Sequence, residues 1–383
     1  MVISKGRATD RSRLRRRHAL GYLALFALLS AVIAATPAEA RKRVKRSHYS
    51  PPASAMVLDA YSGKVLYADK PDQPRYPASV TKVMTLYLLF EQIKAGRLTL
   101  DSGLKVSAEA ASRPPSKLDL EPGSEISVRD AMYALVTKSA NDVASVIAEN
   151  IAGSEPAFAR MMTQKARMIG MTNTAFRNAS GLPDPGQVTT ARDLVTLGQR
   201  MLADFPEESK VFRTRYFQYG KARFKNHNSM LFTYPGMEGL KTGFTRASGF
   251  NLLTSARRQD KHLVAVVLGG SSSRQRNARM RKLLDQSWGK AVAFNEMKQK
   301  GDEPIAIAGV FSPDMMPERN PAFHAGEAEE QLRIAMAEAR KSEDAEGREM
   351  ASPGLALASL TAQAQAPTED NNEDAAETDE APV

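Results

Sequence analysis

The sequence of 383 residues contains no cysteine. This absence excludes disulfide bonds, structural zinc sites built on thiolates and a cysteine nucleophile. Any nucleophile that the chain uses must therefore be an oxygen. Histidine, the usual base that activates a serine hydroxyl, is also scarce, with five in the whole chain.

Only one of these histidines lies near candidate chemistry. His227 stands in the segment KNHNSM, whereas the other four fall in a leader, in a linker, beside a strand and in the tail: His18, His48, His262 and His324. We interpret His227 as a surface or strand residue and leave it out of the catalytic set. Because the chain also lacks a G-x-S-x-G nucleophile elbow, a Ser-His-Asp hydrolase has little support.

Long apolar runs are missing too, apart from one near the N-terminus. Residues 1–40 comprise a basic segment, an apolar run from Ala19 to Ala35 and a small-residue ending. The run is short for a membrane-spanning helix, which needs about 20 residues, so the pattern predicts a secretory signal peptide. An uncleaved anchor is the alternative, and we expect membrane contact only through it. The prediction is therefore an exported protein, in the periplasm or on the cell-wall face of the cytoplasmic membrane.

Acidic residues are fewer than basic ones, 43 against 53, which gives a formal net charge of +10. The leader and the linker at 41–50 are strongly basic, whereas 293–383 is acidic, low in complexity and predicted to be largely disordered. The sequence shows no Arg-rich helix and no basic patch interleaved with aromatic residues, so we expect no nucleic-acid partner. After export, a basic surface would face anionic lipid headgroups or an acidic cell-wall polymer.

The segment 51–292 carries the patterns of one mixed α/β domain. Two β-rich runs around Tyr61-Ser62-Gly63 predict a hairpin, and runs at 250–256 and 262–268 predict antiparallel strands. Between and after them the periodicity predicts helices over 76–96, 126–153 with a break at 138–141, 155–170, 190–204 and 275–292, and a loop over 101–125. Strands at both ends of the segment predict one sheet built from distant strands and covered by helices.

Ser79 and Lys82 open the apolar helix of the stretch YPASVTKVMTLYLLFEQIKAG. A spacing of three residues places them on one face of a helix, where a neutral lysine could take the serine proton. That requires burial or a second cation to lower the pKa of the lysine. On its own, a Ser-x-x-Lys pair usually means a helix N-cap followed by a solvated lysine.

Two further triplets accompany this pair. Ser139-Ala140-Asn141 offers a hydroxyl and a carboxamide between helices, and Lys241-Thr242-Gly243 offers a cation, a hydroxyl and a glycine that lets backbone approach a ligand. The set resembles the S-x-x-K, S-x-N and K-T-G triplets of the penicillin-recognising serine enzymes. The segments YPASVTKVMT, NASGLPDPGQVTTARDL, GLKTGFTRASGFNLLTSA and HLVAVVLGG extend the resemblance, over roughly residues 50–290, to the low-molecular-weight D-alanyl-D-alanine carboxypeptidases.

The resemblance implies a β-lactamase/transpeptidase-like α/β fold, with an antiparallel sheet flanked by helices and an all-helical subdomain, and it implies no metal and no cofactor. It assigns Ser79 as the acylated nucleophile, Lys82 as its general base and Ser139 as a proton relay to the leaving amine. The backbone N–H groups of Ser79 and Phe244 would form the oxyanion hole.

The substrate-binding roles also follow from the resemblance. Asn141 would hold the substrate amide, and Gly243 would belong to the substrate-binding residues. Lys241 would supply positive charge that helps to keep Lys82 neutral. Thr242 and Arg276 would bind the terminal carboxylate of the peptide. For Arg276, which lies in the run SRQRNARMRK, a solvated basic helix is the alternative.

The implied activity is removal of the terminal D-Ala from peptidoglycan stem peptides, with β-lactams as acylating inhibitors. A D,D-endopeptidase that cuts cell-wall cross-links would share all three triplets and stays open, as does a non-catalytic wall-binding scaffold, against which the intact triplets argue. A β-lactamase would need an additional carboxylate to position water, and no glutamate stands in a suitable motif. Many family members continue into a β-rich domain and a membrane-binding helix, but the polar text of 300–383 predicts neither.

Overall fold

The computed structural model describes residues 51–300. The predicted signal peptide, the linker and the tail after residue 300 lie outside the described residues. Within 51–300, no helix has the length and apolar character needed to cross a membrane.

An antiparallel sheet of five strands forms the centre of the fold. The strands of the described chain are β1 (Ser54–Asp59), β2 (Val65–Asp69), β3 (Gly103–Lys105), β4 (Glu125–Ser127), β5 (Tyr216–Tyr219), β6 (Ala222–Lys225), β7 (Met237–Thr245), β8 (Gly249–Arg258) and β9 (Lys261–Gly270). The central sheet has the order β2-β1-β9-β8-β7, and β3-β4 and β5-β6 form two small hairpin-like sheets. The central sheet therefore joins strands from both ends of the domain, as predicted, and β7 is one of its edges.

Helices cover both faces of this sheet. They are α1 (Lys82–Lys94), α2 (Ala108–Ala111), α3 (Val128–Thr137), α4 (Asn141–Ala152), α5 (Glu155–Met168), α6 (Ala191–Asp204), α7 (Met230–Thr233), α8 (Ser273–Ser287) and α9 (Phe294–Gln299), with 3-10 turns at Ala78–Thr81, Glu208–Arg213 and Trp288–Lys290. Helices α1 and α3 to α5 pack on one another as a helical subdomain. Helix α6 lies on one face of the sheet and α8 on the other.

The run HLVAVVLGG explains how one strand serves both faces. Side chains alternate along a strand, so Val264 and Val266 join the core on the α6 side, whereas Ala265 and Val267 join the core on the α8 side. The sequence of a strand that is covered on both faces is a continuous apolar run, without the alternation of apolar and polar residues found in half-exposed strands.

Helix α1 is buried on all sides from Lys82 to Phe90, as the apolar composition of this stretch predicted. The apolar residues of the stretch are at most 3% exposed: Val83, Met84, Leu86, Tyr87, Leu88, Leu89 and Phe90. A stretch of helix with no solvated face has little freedom to shift, so the first turn of α1 is a rigid mount for Lys82 and for Ser79 before it.

Four parts of the predicted organisation were incomplete. The tail was predicted to begin at residue 293, but helix α9 (Phe294–Gln299) lies within it and buries Met297. The stretch 101–125 was expected to be a loop, but it contains β3, the short helix α2 and the start of β4. The β5-β6 hairpin and strand β7 were not predicted. Elements of three or four residues are too short for an alternation to be read, and β7 contains two glycines that weaken a strand pattern.

Candidate active site

Ser79 lies in the 3-10 turn Ala78–Thr81, directly before helix α1. Its side chain does not cap the helix, because neither this turn nor α1 has a side-chain cap hydrogen bond. The interpretation of Ser79 as an N-cap is therefore wrong. The hydroxyl is free for a different partner.

That partner is Lys82. The lysine is fully buried, so the alternative of a solvated lysine is also wrong. Its Nζ lies 3.0 Å from Ser79 Oγ, 2.7 Å from Asn141 Oδ1 and 2.6 Å from the carbonyl oxygen of Ser180. Three oxygens thus surround one amine.

The three oxygens differ in what they can do. The Asn141 amide oxygen and the Ser180 carbonyl only accept hydrogen bonds, whereas a serine hydroxyl can accept or donate. A neutral lysine amine has two N–H bonds and one lone pair. If it donates to Asn141 and Ser180, its lone pair remains for the Ser79 O–H. The contacts therefore suit a neutral amine that accepts the serine proton.

The electrostatic surroundings favour the same protonation state. Burial, and after it the positive charge of Lys241, lowers the pKa of Lys82 well below its usual value, although Asp142 and Glu155 act in the opposite direction. The sequence predicted Lys241 as a contributor. The larger cause is burial, which removes water from the ammonium form.

The connection between α3 and α4 supplies the second triplet. Asn141 is fixed at both ends, since its Nδ2 donates to the Pro114 carbonyl at 2.8 Å and its backbone N–H donates to Ser116. Ser139, two residues earlier, is buried and has a φ of 61°. The break between helices that the sequence predicted at 138–141 thus places Asn141 against Lys82, with Ser139 two residues from that contact.

The third triplet lies on the edge strand β7. Lys241 and Thr242 are buried, and the Lys241 Nζ donates to the Thr242 carbonyl at 3.0 Å. Gly243 faces Ser79, the predicted nucleophile: a Cβ at position 243 would lie 3.0 Å from the backbone nitrogen of Ser79. The glycine was predicted to let backbone approach a ligand, and what it approaches in the structure is the Ser79 backbone itself.

Phe244 follows on the same strand. Its ring is 53% exposed and packs on Phe250 at a centroid distance of 4.2 Å. Because a Cβ on Gly243 would crowd the Ser79 nitrogen, the strand runs close to the Ser79 turn, and the next residue brings its own backbone beside the same turn. This arrangement keeps the two predicted oxyanion donors, the N–H groups of Ser79 and Phe244, on neighbouring segments.

Arg276 is 4% exposed, so the alternative of a solvated basic helix is wrong for this side chain. It projects from α8, and its Nη1 donates to the carbonyl of Asn251, the residue that pairs with Gly243 across the sheet. Burial, and then the charge of Arg276, lowers the pKa of Lys241 to about 7. Arg276 thus lies close to Lys241 of the third triplet.

Asn251 is a site residue that sequence reasoning missed. Its Nδ2 donates to the carbonyls of Tyr76 and Pro77, and its Oδ1 accepts from the backbone of Gly269. The side chain therefore ties the sheet to the segment that enters the Ser79 turn. A lone asparagine within a strand pattern gives no signal for this role.

Sequence reasoning missed the Ser180 carbonyl for a different reason. Every residue has a backbone carbonyl, so no pattern of residue types marks the one that binds Lys82. The Ser180 carbonyl is held by its neighbour: the Ala179 N–H donates to Glu155 Oε1 at 2.9 Å, and Glu155 is ion-paired with Arg113 at 2.6 Å. The other Glu155 oxygen also accepts from Ser145. The carboxylate is thus engaged in holding the loop.

His227 was left out of the catalytic set, and the structure places it near the site. It lies in a turn fixed by two flanking amides, Asn226 and Asn228. The ring is exposed to solvent, yet protein surrounds it on enough sides that desolvation lowers its pKa to about 4, followed by four cations: Lys241, Lys138, Lys82 and Arg276. Since these cations are two triplet lysines, the neighbour of Ser139 and Arg276 of α8, His227 lies near the same cleft.

Backbone strain marks the three triplets. Ala78, which precedes Ser79, has a φ of 47°; Ser139 has 61°; and Leu240, which precedes Lys241, has 89°. Non-glycine residues with positive φ cost about 1–3 kcal/mol each and concentrate at functional sites. The fold thus sustains strain at each point where it presents one of the motifs.

Comparison with known proteins agrees with this geometry. The family model of D-alanyl-D-alanine carboxypeptidase matches residues 42–272. The chain belongs to this family. The predicted resemblance is therefore confirmed, and so is the α/β fold with an antiparallel sheet flanked by helices.

Individual members of the D-alanyl-D-alanine carboxypeptidase family are similar over the described domain. DacC of Escherichia coli K12 is 36% identical over 241 residues, which cover 61% of this chain and 60% of DacC. The chain thus spans about three fifths of the length of the carboxypeptidase relatives it matches, among them DacF of Bacillus subtilis at 61%. A D-alanyl-D-alanine endopeptidase of Pseudomonas aeruginosa is 31% identical, over 76% of this chain and 99% of that protein.

Solved structures show the same fold. The D-alanyl-D-alanine carboxypeptidase DacD of Francisella tularensis matches with a TM-score of 0.59 and 30% identity, over 62% of this chain and 70% of DacD. Penicillin-binding protein D2 of Listeria monocytogenes in its ampicillin-bound form matches with a TM-score of 0.54 and 29% identity, over 61% of this chain and 96% of that chain.

Proposed function

We propose that the chain is a serine-type D-alanyl-D-alanine carboxypeptidase that acts through an acyl-enzyme on Ser79. The observation that carries the proposal is the buried Lys82 amine, 3.0 Å from Ser79 Oγ, with two pure acceptors taking its N–H bonds. Family membership supplies the substrate class: peptidoglycan stem peptides that end in D-Ala-D-Ala.

In the acylation step, Lys82 takes the Ser79 proton while Oγ attacks the carbonyl of the penultimate D-Ala. The oxygen of that carbonyl becomes an oxyanion, stabilised by the backbone N–H groups of Ser79 and Phe244. The C–N bond then breaks, and the proton passes through Ser139 to the leaving amine of D-alanine. Water resolves the ester by the reverse proton route.

Substrate binding uses the remaining residues of the cleft. Because β7 is an edge strand, its outer backbone groups can pair with an extended peptide as an added strand. Asn141 would hold the peptide amide. Thr242 and the cationic pair Lys241 and Arg276 would receive the free terminal carboxylate.

Two tests address this function. A fluorescent penicillin should label the wild type and fail to label Ser79→Ala, because the strained β-lactam amide imitates the D-Ala-D-Ala bond. Peptide mapping of the adduct identifies the acylated residue. If Ser79→Ala is still labelled, Ser79 is not the nucleophile.

A D,D-endopeptidase is the second candidate, and the P. aeruginosa endopeptidase, matched over 99% of its length, favours it. Incubation with purified muropeptides and mass analysis of the products separates the two. Loss of one alanine from pentapeptides indicates a carboxypeptidase, and separation of cross-linked dimers indicates an endopeptidase. The β-lactamase alternative loses support, since both carboxylates that act on Lys82 are occupied. Asp142 accepts from the backbone N–H groups of Leu118 and Leu120, and Glu155 is held by Arg113, Ser145 and the Ala179 N–H.

Export to the periplasm or cell-wall face belongs to the same proposal. It rests on the leader pattern of residues 1–40 and on the substrate class that family membership suggests. Detection of the protein in an osmotic-shock fraction, with N-terminal sequencing to locate the cleavage point, tests it.

A further inference from the structure

The hairpin β5-β6 and the short helix α7 present a cationic surface beside the cleft. Between residues 209 and 237 the sequence has no Asp or Glu but six basic residues. One face of the hairpin, with Phe217 and Phe224, packs against the domain, where Phe217 stacks on Tyr133. The other face is exposed. It carries Tyr216, Arg223 and Lys225. With Arg215, which precedes β5, and Phe232 of α7, these residues form what we call the hairpin patch.

The cations of the patch are held by rings rather than by carboxylates. Arg223 lies 4.1 Å from the ring centroid of Tyr216, and Arg215 and Lys225 lie 5.5 and 5.2 Å from that of Phe232. Within residues 51–300, none of these three cations forms an ion pair, in contrast to Arg213 and Lys210 nearby. Cation–π contact fixes a side chain without neutralising its charge, so the patch is preorganised for an anionic partner.

The patch continues into the active site. Lys225 is two residues from His227, a span of at most about 7 Å, and His227 lies among the cleft cations. On the inner face of the hairpin, Lys138, the neighbour of Ser139, lies 5.2 Å from the ring centroid of Phe224. A long ligand whose end reaches Ser79 can therefore extend over the hairpin.

The exposed chemistry favours a polar, carboxylate-bearing polymer. Of the two aromatic residues in the patch, Tyr216 is 44% exposed and Phe232 is half-buried, which is little apolar surface for insertion into a membrane. Stacking of nucleic-acid bases needs free aromatic faces, and here cations lie over them. The expectation that the chain has no aromatic-interleaved basic patch was thus wrong, yet the patch does not resemble a base-stacking platform.

We propose that the hairpin patch binds the peptidoglycan strand outside the scissile dipeptide, through the free carboxylates of its stem peptides. This inference rests on the proposed function, because it extends the same substrate beyond the cleft. It makes the patch a determinant of specificity for polymer over short peptide.

The test compares two triple variants of the full chain with equal net charge. The patch variant is Arg215→Gln/Arg223→Gln/Lys225→Gln. The control variant is Lys105→Gln/Arg160→Gln/Lys290→Gln, which removes three exposed cations on β3, α5 and the last 3-10 turn. Penicillin labelling of both at the wild-type rate shows that the fold and the Ser79 site are intact.

The first readout is co-sedimentation with purified insoluble peptidoglycan at low salt. The patch variant should bind about tenfold more weakly than the wild type, as expected for the loss of three exposed charge contacts, and the control variant should change less than about threefold. The second readout is release of D-alanine. The patch variant should release D-alanine from a short D-Ala-D-Ala peptide at the wild-type rate. On the polymer, its rate of release should fall by about the same factor as its binding.

Several results would overturn the inference. The control variant could lose as much binding as the patch variant, the patch variant could lose equally on both substrates, or phosphatidylglycerol vesicles or single-stranded oligo-dT could bind through the patch more tightly than peptidoglycan. If the wild type releases no D-alanine from the short peptide, the proposed function fails, whereas co-sedimentation still decides the patch.

Discussion

At the scale of single residues, the proposed chemistry depends on the charge of one buried amine. Asn141 Oδ1 lies 2.7 Å from Lys82 Nζ as a neutral acceptor. A carboxylate in the same place would instead favour the ammonium form and raise the pKa of Lys82. An amide rather than a carboxylate at position 141 thus favours the neutral form of Lys82, which the proposed base requires.

We expect Asn141→Asp to be acylated by penicillin at least about tenfold more slowly at pH 7, because each unit by which the pKa of Lys82 rises lowers its neutral fraction tenfold. The loss should diminish as the pH is raised from 6 to 10. The measurement is the rate of labelling across this range. Asn141→Ala is the control: it removes the acceptor without adding charge, so its profile should not move upward. Identical profiles for the two variants would show that residue 141 does not set the protonation of Lys82.

The side chains of the three motifs could be predicted because each belongs to a pattern of several residue types at fixed spacing. Ser79, Lys82 and Asn141 meet in the structure as that pattern implied. The Ser180 carbonyl and Asn251 could not be predicted. One is a backbone group, and the other acts through contacts with residues about 175 positions away in the sequence, which no local pattern encodes.

At the scale of elements, the site depends on how closely strand β7 approaches the Ser79 turn. A Cβ at position 243 would lie 3.0 Å from the Ser79 nitrogen, 3.1 Å from the Ala78 Cβ and 3.1 Å from the Pro77 carbonyl oxygen. Two of these three atoms are backbone and cannot rotate away. The strand and the turn would have to separate.

Gly243→Ala should therefore lower the free energy of unfolding by about 1–3 kcal/mol, as overpacking does. It should also slow penicillin acylation by about tenfold to a hundredfold, since displaced reacting groups lose that much. Gly289→Ala, with no atom within 4 Å of the added Cβ, should change neither value. Urea unfolding and labelling kinetics measure both. If Gly243→Ala is destabilised but is acylated at the normal rate, the close packing at position 243 does not set the geometry of the oxyanion hole.

Element type was predictable where the periodicity was long. Helices α1, α5 and α6 and strands β8 and β9 carry ten or more residues each and lie where the sequence placed them. The β5-β6 hairpin has four residues in each strand, and its sequence is basic without a recognisable strand periodicity. Its aromatic residues become informative only when the pairing of Phe217 with Phe224 shows which face is buried.

At the scale of the whole molecule, the central sheet takes β1 and β2 from the start of the domain and β7 to β9 from its end. The segment after α8 returns to the first strands: the Val292 N–H donates to Asp59, and the Phe294 ring lies 5.1 Å from Tyr61. These contacts lie at the β8-β9 turn, where the Phe294 N–H bonds to Asp260. Gly243 and Phe244 lie at the other end of β7, beside Gly249 to Asn251.

A chain that ends at Val292 would lack α9, so it should be less stable than a chain that ends at Lys300 by about 2–4 kcal/mol, the range for loss of buried large side chains. Both should be labelled by penicillin at equal rates, because α9 packs away from the cleft. Phe294→Ala in the full chain should reproduce part of the stability loss without changing the labelling. Thermal unfolding and labelling kinetics measure the two effects separately. If the chain ending at Lys300 folds but does not react with penicillin, residues beyond 300 belong to the enzyme, and the catalytic domain is larger than the sheet and helices that hold Ser79 and Lys82.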